Sequence, residues 1–134
     1  MTEISKLNFP ENIRYAKDHE WAKTDGEKIR VGITDYAQDQ LGDITYAELP
    51  EVGDNFKKGE QFGTLESTKA VADLFMPVGG EILAVNEDLQ DAPELINQAP
   101  YIGGWIVDVK PAEPKEMDEL MTTAQYLEML ERAD

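Results

Sequence analysis

The chain has 134 residues, 28 of them acidic and 12 basic, for a net charge of −16, and it contains no cysteine. The acidic balance counts against nucleic-acid and anionic-membrane partners, and the missing thiols exclude a disulfide framework, a thiolate nucleophile and a zinc ribbon. What is left is one domain, 1–134, long enough to bury roughly two-thirds of its unfolded surface without cross-links; with no targeting segment and no membrane-length apolar run, the cytoplasm is the expected location.

Residues 1–12 read as a loose lead-in. "RYAKDHEWAK" (14–23) and "KIRVGI" (28–33) read as two strands around Asp25-Gly26, a hairpin dipeptide. "TDYAQDQLGD" (34–43) reads as a short helix, with Thr34 or Asp35 as N-cap and Gly42 at its end. On it, Ile33, Tyr36, Ala37, Gln40 and Leu41 share one mostly apolar face at helical spacing. "ITYAELP" (44–50) returns to strand alternation. β-runs follow in 52–67, 70–86 and 103–111, punctuated by Gly, Pro, Asn and Asp. "DAPELINQAP" (91–100) is a helical turn with Asp91 as its cap and Pro93 in its first turn. The region 114–134 is helical: Met117, Leu120, Met121, Ala124, Leu127 and Leu130 recur at steps of three and four. Thr122-Thr123 breaks it in two, and its stripe is core packing. Many short strands with a few peripheral helices make a mainly β barrel or sandwich.

One lysine stands apart. Lys69, in "TLESTKAVADLF" (64–75), has no other cation within ten residues on either side. Gly59 lies ten residues before it and Gly80 eleven after, each followed by Glu and a β-run. That spacing predicts a hairpin with Thr68-Lys69 at its tip and a glycine turn beyond each arm. The tip lacks Asn-Gly or Asp-Gly. A lysine projected there is an ordinary solvated amine, unlike the desolvated lysine of a Schiff-base enzyme, and an accessible handle for acylation by another protein.

"ESTKAVAD", with "VGDNFKKGE" before it and "PVGGEI" after it, resembles the lipoyl-carrying hairpin of the glycine cleavage H-protein family. "HEWAK", "VGITDYAQDQLGDITYAELPEVGD", "PELIN", "GGWI" and "LMTTAQYLEML" extend the likeness, in the family's order, over roughly 14–130. The resemblance implies a barrel-sandwich hybrid: two antiparallel sheets of lipoyl-domain type, short flanking helices and a C-terminal helix. It implies lipoic acid in amide linkage to Lys69, within a motif of Glu66, Ser67 and Ala70 that either is read by the lipoylating enzyme or lines the arm's resting groove, with Ser67 equally readable as strand filling and Gly80 more structural than read. It implies a non-catalytic shuttle. The arm would take an aminomethyl group from a pyridoxal-phosphate glycine decarboxylase, pass it to a tetrahydrofolate-dependent aminomethyltransferase, and be reoxidised by dihydrolipoamide dehydrogenase. A lipoyl or octanoyl ligase or transferase would install it. Without cysteine, dithiol chemistry has to come from such a cofactor.

The alternative in the same fold is a lipoate-binding protein serving sulfur oxidation or octanoyl and lipoyl relay. Phe75-Met76, Gly79 and "YIGGW" depart from the family's usual residues and bear on which partners dock. A biotin carrier would place Met on both sides of the lysine, where this chain has Thr68 and Ala70. Enzymatic readings lack material: the one histidine, His19, lies beside Trp21 as a packed or hydrogen-bonded residue, no metal set is evident, and no phosphate loop is present.

Overall fold

The structure, a computed structural model, describes residues 3–133. Among them, nine strands form two antiparallel sheets. The larger takes β1 (Arg14–Tyr15), β2 (Glu20–Asp25), β3 (Lys28–Ile33), β9 (Val107–Pro111), β8 (Gly80–Val85) and β5 (Asn55–Phe56), in that order. The smaller takes β4 (Ile44–Glu48), β6 (Gln61–Ser67) and β7 (Val71–Phe75). Four helices flank them: α1 (Asp35–Leu41), α2 (Asp88–Asp91), α3 (Leu95–Gln98) and α4 (Thr123–Ala133), with 3₁₀ turns at Ile4–Lys6 and Pro114–Glu119. This is the two-sheet architecture expected.

The main core lies between the sheets. Ile29 and Val31 of β3, Val107 and Val109 of β9 and Ile82 of β8 meet Leu65 and Leu74 of the smaller sheet. In β6 the buried residues Phe62 and Leu65 are three apart, which a regular strand would put on opposite faces. A register irregularity between Gln61 and Gly63 supplies the phase change.

Several expected runs divide. The segment 14–23 is a hairpin of its own, since Tyr15 pairs with Trp21 around a turn at residues 16–19. The run 52–67 splits at Lys57–Glu60 into β5 and β6, and 70–86 splits at Met76–Gly79 into β7 and β8. Asp91 ends α2 and caps nothing in α3, which begins at Leu95. Gly59 is in a turn at φ 83°, but Gly80 opens a strand: a Cβ there would lie 2.1 Å from the Lys110 carbonyl oxygen. Only a hydrogen permits that approach of β8 to β9.

The break at Thr122-Thr123 is borne out. Thr122 and Gln125 form a reciprocal capping box, the Gln125 N–H donating to Thr122 Oγ1 (3.3 Å) and the Thr122 N–H to Gln125 Oε1 (2.9 Å). α4 buries Tyr126 and Leu130 in a second core with Ile13, Tyr15 and Trp21. Trp21 fits because its register partner is Gly32, whose Cβ would meet the indole at 2.7 Å. The lead-in is tethered, contrary to expectation: Phe9 packs edge-on to Tyr126, and the Pro10 carbonyl accepts hydrogen bonds from the Tyr15 and Thr123 hydroxyls.

On the larger sheet, the buried Asp108 accepts from Arg30 Nε (2.9 Å) and Nη2 (3.2 Å) and from Lys28 Nζ (3.1 Å). Arg30 also lies 4.1 Å over the Trp105 ring. Replacing Asp108 by Ala removes three charge-assisted bonds while its partly exposed cations turn to water, so urea unfolding should show a loss of about 2–3 kcal/mol.

Candidate functional site

The hairpin tip is closed by one hydroxyl. Ser67 Oγ accepts the N–H of Lys69 (3.2 Å) and of Ala70 (3.0 Å), while the Ser67 N–H donates to the Ala70 carbonyl (2.8 Å). The side chain thus supplies the acceptor that a reversal without glycine does not present. The Thr68 N–H donates to the Asp43 carbonyl (3.0 Å), and Thr45 Oγ1 donates to the Glu66 carbonyl (3.2 Å), fastening the tip to β4. Lys69 is exposed at the apex. Its stem passes over Gly42, the residue after α1: a Cβ there would lie 2.8 Å from Lys69 Cε, and Gly42 holds φ 76°.

Beside the hairpin runs a cleft of about 330 Å³. One wall is α1 with its approach, through Ile33, Tyr36, Ala37, Gln40 and Leu41, the whole face expected from helical spacing. Leu65, Ala72, Asp73 and Leu74 of the hairpin strands form another, and Asp18, His19 and Glu20 complete the lining. Leu41 of the lining precedes Gly42, so the far end of the lysine stem lies beside the α1 end of this cleft.

Glu20 is its unusual member. The residue is 2 % exposed, its Oε2 accepts the Phe75 N–H at 3.3 Å, and its Oε1 is buried with no hydrogen-bond partner. Burial raises its pKa to about 8, with the Phe75 bond opposing and nearby Asp18 adding to the rise. The carboxyl is therefore mostly protonated at neutral pH. His19 precedes it at φ 75°, with its Nδ1 2.7 Å from the Tyr126 hydroxyl. Burial lowers its proton affinity, which Asp18 partly restores. This is the hydrogen-bonded histidine expected, in a turn and not in a strand.

The structure brings Glu66, Ser67, Lys69 and Ala70 together at the tip. Glu66 is exposed, in register between Tyr46 of β4 and Val71 of β7. Gly80 is apart from them and buried. Sequence reasoning missed Glu20 and the cleft. Burial of one glutamate has no periodic signature, and the α1 face was legible but not what it faces.

Residues 13–133 match the family described as glycine cleavage H-protein. The chain belongs to that family. It is similar to the glycine cleavage system H protein of Halothermothrix orenii, 52% identical over 128 residues that cover 96% of this chain and all of the relative. It is also similar to the one from Bacillus licheniformis, 48% identical over 92% of this chain and 98% of that one. A crystal structure of a glycine cleavage system H protein from Mycobacterium marinum superposes with a TM-score of 0.85 at 38% identity, covering 92% of this chain and 99% of the other. H-proteins of this family are lipoyl carriers of the glycine cleavage system, so a covalent lipoate is the group the site has to accommodate. The residues fit it: an exposed amine on a tied tip, an apolar cleft beginning at its stem, and an unpartnered buried carboxyl oxygen in the lining.

Two outcomes follow from this geometry. Ser67→Ala leaves two tip amides without an acceptor; amide exchange at Lys69 and Ala70 should accelerate, with about 1 kcal/mol lost in global stability. Glu20 holds a proton in the folded state that the unfolded chain releases at ordinary carboxyl pH. Its contribution therefore lowers stability as pH rises from about 4.5 to about 8, by at most about 1.4 kcal/mol per pH unit. Glu20→Gln should flatten the stability profile across that window, its advantage over the wild type growing with pH in paired urea titrations.

Proposed function

We propose that Lys69 is the lipoyl attachment residue and that the chain is a non-catalytic shuttle among the enzymes of the glycine cleavage system. The observation that carries this reading is the tip itself: one exposed lysine on a backbone fixed by Ser67 and tethered through Thr68 to Asp43. A fixed tip presents the amine to an acylating enzyme without the entropy of ordering a loop. Ser67 acts by shaping the tip, Glu66 presents a carboxylate beside it, and Gly80 acts through the sheet behind it.

Bound lipoate supplies a dithiolane that takes an aminomethyl group and carries reducing equivalents. The chain's own residues shelter and release it. Leu65 lies two residues before the end of β6 at Ser67, about 7 Å at 3.3 Å per residue, and Lys69 lies in the reversal just beyond it, a span that an acylated lysine side chain can cover. Ile33, Leu41, Leu65 and Leu74 offer apolar walls that exclude water. Glu20 and the carboxylates of Asp18 and Asp73 are suited to an amine carried on the arm. A cation beside Glu20 would draw off its proton and satisfy the oxygen that otherwise costs about 1–3 kcal/mol to bury unpaired.

Tethering keeps the arm at high effective concentration near each partner in turn. The decarboxylase, the aminomethyltransferase, dihydrolipoamide dehydrogenase and a lipoyl or octanoyl ligase or transferase are the partners this role requires. The net charge of −16 favours docking on basic rims, mostly through on-rate. No helix among the described residues is long and apolar enough to cross a membrane, and the cytoplasm suits the shuttle role.

Co-expression with a lipoyl ligase, followed by intact mass and peptide mapping, tests the assignment. A single lipoyl adduct on Lys69 is expected, absent from a Lys69→Arg variant that folds normally. An adduct elsewhere, or none, refutes it. Loaded protein should then support glycine–bicarbonate exchange by the decarboxylase; loading without exchange would move the chain to the sulfur-oxidation or acyl-relay role.

A further inference from the structure

The turn that carries Glu20 has the wrong residue for its backbone. The His19 N–H donates to the Ala16 carbonyl (3.0 Å), and the Ala16 N–H donates to the Glu20 carbonyl (2.8 Å). This is a three-residue reversal, Lys17 to His19, whose last residue turns left-handed at φ 75°. Glycine normally takes that slot. Histidine there costs about 1–2 kcal/mol of backbone strain, and strain of this kind persists only where the surroundings hold it.

The holding group comes from the other end of the chain. The Tyr126 hydroxyl on α4 lies 2.7 Å from His19 Nδ1 and 2.8 Å from Thr34 Oγ1. Thr34 Oγ1 is also the N-cap of α1, accepting the Ala37 N–H at 3.1 Å. Beside the backbone bond from the Thr34 N–H to the His19 carbonyl (3.0 Å), this hydroxyl is the side-chain tie between two adjoining parts of the cleft lining: the 16–20 turn, which ends in Glu20, and α1, which supplies Tyr36, Ala37, Gln40 and Leu41. His19 and Tyr36 stack obliquely at 5.1 Å on the cleft side of this junction.

We propose that Tyr126 is a positioning residue for the arm cleft, its hydroxyl clamping the strained His19 turn to the α1 N-cap and so fixing where the Glu20 carboxyl stands in the cleft lining. The clamp is neutral. Burial holds the Tyr126 proton on and keeps His19 uncharged, against the opposing field of Asp18 at His19 and with Glu20 adding to the effect at Tyr126. The Tyr126 ring has separate work, stacked at 4.6 Å on Tyr15 and edge-on to Phe9 at 5.9 Å. Tyr126→Phe therefore removes the hydroxyl clamp, leaves the Thr34–His19 backbone bond in place and keeps the packing. The use of the cleft rests on the carrier reading; the clamp does not, and it is tested on the unmodified full chain.

The measurement is the titration of the Glu20 side-chain carboxyl followed by carbon NMR in protein labelled at glutamate. In the wild type, Glu20 should titrate near 8. In Tyr126→Phe, the loosened turn admits water and the midpoint should fall by about one pH unit or more. His19→Gly relieves the strain, so it should fold at least as stably as His19→Ala, yet lower the Glu20 midpoint in the same direction. Tyr101→Phe is the control. It removes another hydrogen-bonded hydroxyl, one that accepts the Asp35 N–H, donates to the Asn8 carbonyl and bonds to neither His19 nor Thr34. It should lower stability and leave Glu20 unmoved. An unchanged Glu20 midpoint in Tyr126→Phe and His19→Gly, or an equal shift in Tyr101→Phe, would overturn the proposal. Absence of lipoylation at Lys69 would leave it standing.

Discussion

The Ser67 hydroxyl accepts the amide hydrogens of both Lys69 and Ala70, and the placement of everything else in the site depends on that pair of bonds. A reversal built from Thr68 and Lys69 has no residue suited to positive φ, so its amides need an acceptor that the backbone does not offer. With the acceptor in place, β6 and β7 stay paired up to Glu66 and Val71. The same pairing sets Leu65 against Ala72 and makes both of them cleft wall. A loose tip would leave the lysine without a fixed origin and the cleft without one side.

Two kinds of carboxylate serve this arrangement. Most are solvated and give the surface its sign. Asp108 and Glu20 are buried, and they differ in partners. Asp108 is surrounded by Arg30 and Lys28 and stabilises the larger sheet. Glu20 has one backbone donor and one empty oxygen. A fold under selection for stability alone would gain by replacing it with an apolar residue. Its presence in the cleft lining agrees with a ligand-facing role, and a carboxyl that is protonated when alone and ionises beside a cation is suited to an amine that comes and goes.

Much of this was legible in the sequence. The isolation of Lys69, the Asp25-Gly26 turn and the break at Thr122-Thr123 each follow from local chemistry and appear where expected, and of the two caps open to α1, Thr34 and Asp35, the structure takes Thr34. The α1 face was read correctly as Ile33, Tyr36, Ala37, Gln40 and Leu41, although periodicity cannot say whether such a face meets a core or a groove. The turn at 16–19 stayed hidden because histidine occupies its glycine slot, so "RYAKDHEWAK" reads as one strand. The αL backbone of His19 is held by a tyrosine 107 residues away, and no window of local sequence contains that information. Gly80 misled for the opposite reason: it reads as a turn, but it is there for the approach of Lys110 from the next strand.

The central claim is that an arm on Lys69 rests between α1 and the β6–β7 hairpin. Nuclear Overhauser contacts in the lipoylated protein, with Ile and Leu methyls labelled, address it most directly. Contacts from the arm to methyls of Ile33, Leu41 and Leu65 are predicted, strengthening when the arm carries an amine. An arm that shows no contact to these methyls in either state, with relaxation like that of a free chain, would contradict it.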